Sequence, residues 1–161
     1  MQGFVPLLAY RFARERLTAA SRGASRTPGP RPLVLFVCTT NSGRSQMAAA
    51  VLESLAGDAV QVSSGGTHPA DVVQPEVTQA LSEIGLSTHE LYPQPLTDEV
   101  VGAADVVVTM GCGDTCPVVP GRRYLDWQVA DPAGADLEAV RAIRDDIAAR
   151  VRGLLPELTT S

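Results

Sequence analysis

The fold of this chain is decided by residues 33–47, which read LVLFVCTTNSGRSQM. The apolar run 33–37 is too short for a typical helix, so it predicts a buried strand that ends on Cys38. A loop of small residues follows, and from about Ser45 the pattern is helical, with an apolar residue at every fourth position: Met47, Val51 and Leu55. This order places the loop amides at a helix N-terminus, where aligned N–H groups attract an anion.

The side chains of this loop point to nucleophilic chemistry on an oxyanion. The loop amides would stabilise a Cys38 thiolate, which makes it a nucleophile at neutral pH. Arg44 offers a planar fork of donors that suits phosphate, arsenate or sulfate, and Ser45 can donate a hydrogen bond to the Cys38 sulfur. The residues expected around the oxyanion are Thr39, Thr40, Asn41, Ser42, Gly43 and Arg44. The alternative is a buried structural cysteine beside a surface arginine, but it leaves the Cys-(x)5-Arg-Ser spacing between strand and helix unexplained.

The chain of 161 residues is long enough for one domain with a sizeable core, and its net charge of −5 is unevenly distributed. Residues 1–32 hold six arginines and one glutamate, whereas the rest of the chain holds seven arginines and seventeen acidic residues. We therefore expect 1–32 to be a basic, flexible N-terminal extension and linker, and 33–158 to be the catalytic domain. The acidic body argues against nucleic-acid binding, and the absence of an apolar run of about eighteen residues predicts no membrane span.

Cysteine usage indicates a reducing compartment. The three cysteines, at positions 38, 112 and 116, are too few and too unevenly spaced for the disulfide framework of a secreted domain. The sequence therefore predicts a cytoplasmic thiol protein. We expect no metal site, because no further cysteine or histidine pair has suitable spacing.

Strand and helix patterns alternate along the body of the chain. Further strands are predicted at 60–64, 105–110 and 124–127, and helices at 75–84, after Thr97 and from Asp136 onward. This alternation predicts an α/β fold of three layers, with a four-stranded parallel sheet flanked by helices. Ligands bind such sheets at the C-terminal ends of the strands, where Cys38 and the loop 111–121 both fall.

Displacement at a phosphoryl or arsenyl centre also needs a proton for the departing oxygen. Asp131 is the candidate acid, because it lies in a turn after the last strand and Pro132 would hold its backbone extended. Asp126 and Asp136 are the competitors, and Asp136 already has an evident role as a helix cap.

Three stretches of the chain resemble a known family. They are CTTNSGRSQM from Cys38, VVVTMGCGDTCP at 106–117 and DPAG from Asp131, within a similarity that covers about residues 33–155. They look like the arsenate reductases built on the low-molecular-weight protein tyrosine phosphatase fold. The resemblance implies a four-stranded parallel sheet, Cys38 as the nucleophile, Arg44 and the loop amides as the oxyanion site, and Asp131 as the acid.

The same resemblance implies a reaction in two stages. Arsenate would form an adduct on Cys38, and a second thiol would attack that sulfur and release arsenite. No cofactor would be bound. The reductant would be thioredoxin or a small thiol such as mycothiol, each with its own reductase.

The chain departs from the family pattern at two places. Gly43 stands where relatives usually carry a second loop cysteine. Cys112 and Cys116 are closer together than the later cysteines of the thioredoxin-coupled enzymes. Three interpretations of this pair remain open: a relay through Cys112, resolution by an external small thiol, and a turn with incidental cysteines.

Two other functions compete with arsenate reduction. A protein tyrosine phosphatase would share the nucleophile, but such enzymes typically follow the Asp-Pro pair with aromatic residues, whereas Ala133 and Gly134 follow here. Ser42 and Gln46 also resemble the reductases more closely. A phosphocysteine carrier or an inactive oxyanion-binding module would not need Asp131, since neither protonates a leaving oxygen.

Overall fold

The computed structural model describes residues 31–111 and 122–159. It contains one sheet of four parallel strands in the order β2-β1-β3-β4. The strands are β1 (Leu33–Cys38), β2 (Gln61–Gly66), β3 (Val106–Thr109) and β4 (Arg123–Asp126). The predicted α/β architecture is confirmed. The predicted N-terminal extension lies, up to residue 30, outside the described residues, and so do Cys112 and Cys116.

β1 lies between β2 and β3 in the sheet, and all six of its residues are buried. It pairs with β2 on one side and with β3 on the other, so that Cys38 lies opposite Gly66 and Val37 lies opposite Thr109. Alternate residues enter different cores: Val34, Phe36 and Cys38 belong to the larger one, and Leu33, Leu35 and Val37 to the smaller. This alternation turns the Cys38 side chain toward the larger core.

Helices cover both faces of the sheet. They are α1 (Arg44–Ala56), α2 (Pro75–Glu83), α3 (Asp98–Ala103) and α4 (Leu137–Thr159), with a short 3-10 turn at Gly57–Ala59. Buried residues of α1, α2 and α4 complete the larger core, and those of α3 complete the smaller one. Thr97 caps α3, since its hydroxyl accepts a hydrogen bond from the Val100 amide at 3.3 Å. No helix within these ranges is long and apolar enough to cross a membrane.

The helix predicted from about Ser45 is present, but the three apolar residues of its four-residue repeat do not all lie on the buried face. Met47 and Val51 are buried, but Leu55 is 42% exposed. A step of four residues advances about 400° around a helix, so the third residue of such a series has rotated about 80° off the buried face. α2 ends at Glu83, one residue before its predicted end, and Ile84 is 45% exposed.

Candidate active site

The segment 39–43, which we call the oxyanion loop, joins β1 to α1 and turns its carbonyl groups outward. The carbonyls of Cys38, Thr39, Thr40 and Ser42 accept hydrogen bonds from four amides of the segment 67–74, at 2.8–3.3 Å. In a planar trans peptide the N–H points away from the C=O. The amides that follow these carbonyls therefore face away from 67–74.

The free donors of the loop form an anion site. Within 31–111 and 122–159, the amides of Thr39, Thr40 and Gly43 donate no hydrogen bond to a protein group. The Asn41 amide points at the Cys38 sulfur, 3.3 Å away. Several N–H groups thus converge above a cysteine at the N-terminus of α1, where the helix dipole adds further attraction for negative charge.

Cys38 is buried at the base of the loop, with 1% of its surface exposed. Its Sγ lies 2.9 Å from the Ser45 Oγ. The Ser45 oxygen already accepts a hydrogen bond from the Asn41 Nδ2 at 2.6 Å. The Ser45 hydroxyl proton is therefore available for a hydrogen bond to the sulfur.

Asn41 holds the turn of the oxyanion loop in the left-handed conformation, with φ of 51°. Its Oδ1 accepts hydrogen bonds from the Gln46 Nε2 at 2.9 Å and from the Gln94 amide at 2.8 Å. Gln46 also donates to the Tyr92 carbonyl at 2.8 Å. The buried network thus links the loop to the segment 92–94, a partner that no motif in the sequence indicates.

Two glycines allow other segments to approach the oxyanion loop. A Cβ on Gly66 would lie 2.7 Å from the Thr39 carbonyl oxygen, too close for any side chain. Gly111 has φ of 86°, and a Cβ there would overlap the Arg44 guanidinium. The Thr39 Oγ1 also donates to the Gly111 carbonyl at 3.3 Å. The two strands on either side of β1 therefore end against the loop.

Arg44 is held from two sides. Its Nη1 donates to the Val129 carbonyl at 3.3 Å, and its Nη2 lies 3.6 Å from the Asp131 Oδ2. The side chain is only 11% exposed. The first residue of α1 thus presents a guanidinium against Gly111, which contacts the loop residue Thr39, in an orientation set by the segment that follows β4.

Of the three candidate acids, Asp131 is the one in contact with Arg44. Its side chain is 59% exposed, and its Oδ1 accepts a hydrogen bond from the Ala133 amide, which leaves Oδ2 directed at the guanidinium. Asp136 caps α4 through the Ala139 amide at 2.8 Å. Asp126 accepts from the Thr109 Oγ1 at 3.0 Å and from the side chain of Gln128.

The remaining predicted site residues are Cys112 and Cys116, which the described residues do not include. Gly111 is the last described residue before them, and its backbone lies against Arg44. No group of three or more histidine, cysteine, aspartate or glutamate residues suited to a metal occurs within the described residues.

Comparison with known proteins places this geometry in a family. Residues 33–161 match the low molecular weight phosphotyrosine protein phosphatase family. An arsenate reductase of Halalkalibacterium halodurans is 36% identical over 130 residues, which cover 74% of this chain and 92% of that protein.

Two solved structures are similar over most of the chain. The Corynebacterium glutamicum thioredoxin-dependent arsenate reductase Cg_ArsC1' superposes with a TM-score of 0.85 at 42% identity, over 95% of this chain and 74% of that one. The YwlE arginine phosphatase of Geobacillus stearothermophilus superposes with a TM-score of 0.69 at 27% identity, over 79% of this chain and 92% of that one. The chain therefore belongs to the low molecular weight phosphotyrosine protein phosphatase family, and its matched relatives there include proteins named arsenate reductase.

Proposed function

We propose that the protein reduces arsenate to arsenite through a covalent adduct on Cys38. The observation that supports this most directly is the oxyanion loop, whose Asn41 amide points at the Cys38 sulfur directly before the helix that begins at Arg44. The relatives named arsenate reductase support the choice of substrate. Arg44 and the amides would neutralise the charge of the bound arsenate as the thiolate attacks.

The first step forms a bond between sulfur and arsenic and breaks a bond between arsenic and oxygen. Asp131 donates the proton with which that oxygen leaves as water. The Ser45 hydroxyl holds the Cys38 thiolate before the attack and assists its departure afterwards. In the second step another thiolate attacks the Cys38 sulfur, a disulfide forms, and the electron pair of the sulfur–arsenic bond remains on arsenic. Two thiols are oxidised and arsenic(V) becomes arsenic(III).

We assign the second thiol to Cys112. Its backbone is bonded to Gly111, which contacts both Arg44 and Thr39. Cys116 would then attack the Cys38–Cys112 disulfide, which leaves a Cys112–Cys116 disulfide and frees Cys38. Thioredoxin is the proposed reductant of that pair, because the Corynebacterium glutamicum enzyme of 42% identity is thioredoxin-dependent. A small thiol such as mycothiol, acting directly on the adduct, is the alternative.

The phosphatase alternative would keep the first step and replace the second by hydrolysis of a phosphocysteine. The residues after Asp131 argue against it, because Ala133 and Gly134 provide no aromatic wall for a phenyl ring. Trp127, the one tryptophan of the chain, packs against the ring of Phe36 with centroids 5.9 Å apart. A small inorganic oxyanion suits this site better than an aryl phosphate does.

The deciding experiment compares reductants and substrates in parallel. The protein is supplied with arsenate and either thioredoxin with its reductase or mycothiol, and with p-nitrophenyl phosphate in a separate assay. Arsenite release with thioredoxin, abolished in Cys112→Ser and Cys116→Ser, supports the whole proposal. Full activity of Cys112→Ser with mycothiol would reject the internal relay. Efficient hydrolysis of p-nitrophenyl phosphate without arsenite release would reject the reductase.

We further propose that the protein is cytoplasmic and that 33–158 is its catalytic domain. A thiol cycle of this kind needs a reducing compartment. Deletion of residues 1–30 is expected to leave turnover unchanged and to shift Tm by less than about 4 °C. A Tm loss of more than about 8 °C would show that the extension packs on the body. Arg31 and Pro32 are kept, because they hydrogen-bond to Asp58 and Gln61.

A further inference from the structure

The turn that carries Asp131 rests on the oxyanion loop at a single glycine. A Cβ on Gly43 would lie 2.5 Å from the Cγ and 3.4 Å from the Cδ of Pro132. The shorter distance is one that real Cβ atoms essentially never show. Any side chain at position 43 would therefore have to displace the Pro132 ring, and the same Cβ would also lie 3.8 Å from the Gln74 Nε2.

Such a displacement would move Asp131 as well, because the turn is stiff. The Pro132 ring fixes its own φ and restricts the residue before it. The Asp131 Oδ1 accepts from the Ala133 amide, and the Pro132 carbonyl accepts from the Ala135 amide, both at 3.0 Å. A turn closed by two internal hydrogen bonds shifts as a unit when its proline ring is pushed.

We propose that Gly43 is a positioning residue for Asp131. Its missing side chain lets the Pro132 ring sit against the oxyanion loop, and this contact sets how closely the Asp131 carboxylate approaches Arg44, now 3.6 Å from it. The inference rests on the proposed function, in which Asp131 protonates the departing oxygen. A misplacement of about 1 Å can cost about 10²-fold in rate, so the contact matters for catalysis.

The test is a double-mutant cycle of Gly43→Ala and Pro132→Ala. For each variant, kcat for arsenate is measured together with the inhibition constant of inorganic phosphate. Gly43→Ala is expected to lower kcat by about 10-fold or more, with phosphate inhibition within about threefold of the parent. In the Pro132→Ala background, the same substitution is expected to have no further effect. Gly102→Ala is the matched control, because nothing lies within 4 Å of a Cβ there.

Two kinetic results would overturn the proposal. One is a Gly43→Ala variant with kcat within twofold of the parent. The other is an equal loss in both backgrounds, which would place the damage in the loop and not in the turn. If Gly43→Ala does not fold, Pro132→Ala alone decides: a lowered kcat with unchanged phosphate inhibition supports the contact, and an unchanged kcat rejects it.

Failure of the proposed function gives a different pattern. A parent enzyme that releases no arsenite, or a Cys38→Ser variant that still does, would reject the function without reference to Gly43. The contact is then tested by a crystal structure of Gly43→Ala. We expect the Arg44 Nη2 and Asp131 Oδ2 to separate further by about 1 Å. An unchanged separation would overturn the positioning role.

Discussion

The oxyanion loop and the contact between α2 and α4 are held in opposite ways. The loop network is neutral and buried: Asn41 and Ser45 have no exposed surface, and Gln46 is 3% exposed. The helix contact is charged and largely at the surface, where Glu83 pairs with Arg141 at 2.5 Å and with Arg144 at 3.3 Å. A carboxylate inside the loop network would repel the oxyanion in a medium that screens poorly. Amides and hydroxyls can brace the site without that repulsion.

The charged contact between α2 and α4 joins the two helices away from the oxyanion loop. Arg144 is 10% exposed and also donates to the Ala80 carbonyl at 2.8 Å, so it joins the C-terminal part of α2 to α4. The hydrogen bond from Arg141 lowers the pKa of Glu83 to about 2. Charge therefore strengthens the scaffold at the contact between α2 and α4, whereas neutral hydrogen bonds brace the oxyanion loop. Four substitutions test this contrast.

The largest effect is expected for Cys38→Ser. Turnover should fall by at least about 10³-fold, because a hydroxyl at this position is a far weaker nucleophile than a thiolate. The loop amides and Arg44 remain, so phosphate should still bind, which isothermal titration calorimetry can measure. Activity within tenfold of the parent would remove Cys38 from its role.

Asp131→Asn should slow the step that expels oxygen by about 10²–10⁴-fold, the usual contribution of a positioned acid. The matched control is Asp126→Asn, since Asp126 hydrogen-bonds to Thr109 and not to Arg44. Single-turnover measurements of adduct formation isolate the step. If Asp126→Asn slowed this step and Asp131→Asn did not, Asp126 would be the acid.

Asn41→Ala should lower stability and activity together, because it removes the neutral brace. The Gln94 amide loses its acceptor, at a cost of about 1–3 kcal/mol, and alanine in the left-handed conformation adds about 1–2 kcal/mol. Tm should fall by at least about 5 °C in thermal unfolding. Asn41→Gly separates the two terms, since glycine tolerates this φ, and it should lose less. Equal Tm values for Asn41→Ala and Asn41→Gly would show that backbone strain does not contribute to the loss of stability.

Glu83→Gln should have the smallest effect and a distinctive pH dependence. The carboxylate has a pKa of about 2 when folded and about 4.5 as a free group. The unfolded chain therefore binds the extra proton between these values, and stability from this pair is complete above pH 4.5 and lost as pH falls toward 2. The Tm gap between parent and Glu83→Gln should be a few degrees at most near pH 6 and should close on acidification. Asp71→Asn, which removes an exposed carboxylate, is the control. If it produces the same Tm difference from the parent as Glu83→Gln, the effect is one of net charge only.

Much of the site could be predicted from residues close together in the chain. The apolar run, the small residues after Cys38 and the helical pattern from Ser45 are local features, and the structure has β1, the loop and α1 in those places. The left-handed turn suited to Asn41 and the caps at Thr97 and Asp136 are local for the same reason. Local backbone preference and side-chain hydrogen bonding act over a few residues, so a sequence displays them directly.

Other features depend on contacts between distant residues. Gln94 lies 53 residues after Asn41, and Val129 lies 85 residues after Arg44, yet each pair shares a hydrogen bond. The buried face of α1 also differs from the face that a simple four-residue repeat predicts. The reason is that α1 packs against both α4 and the sheet.

The sequence by itself determined the chemical groups of the site, and the tertiary structure decided how they are held. Cys38, the loop residues and Arg44 are adjacent in the chain, so their geometry follows from one strand–loop–helix unit. Asp131 reaches Arg44 only because the parallel sheet brings the end of β4 to the same edge as β1. The approach of Pro132 to Gly43 depends on the absence of one Cβ. Steric fit between segments some ninety residues apart is a property of packing, which no local pattern records.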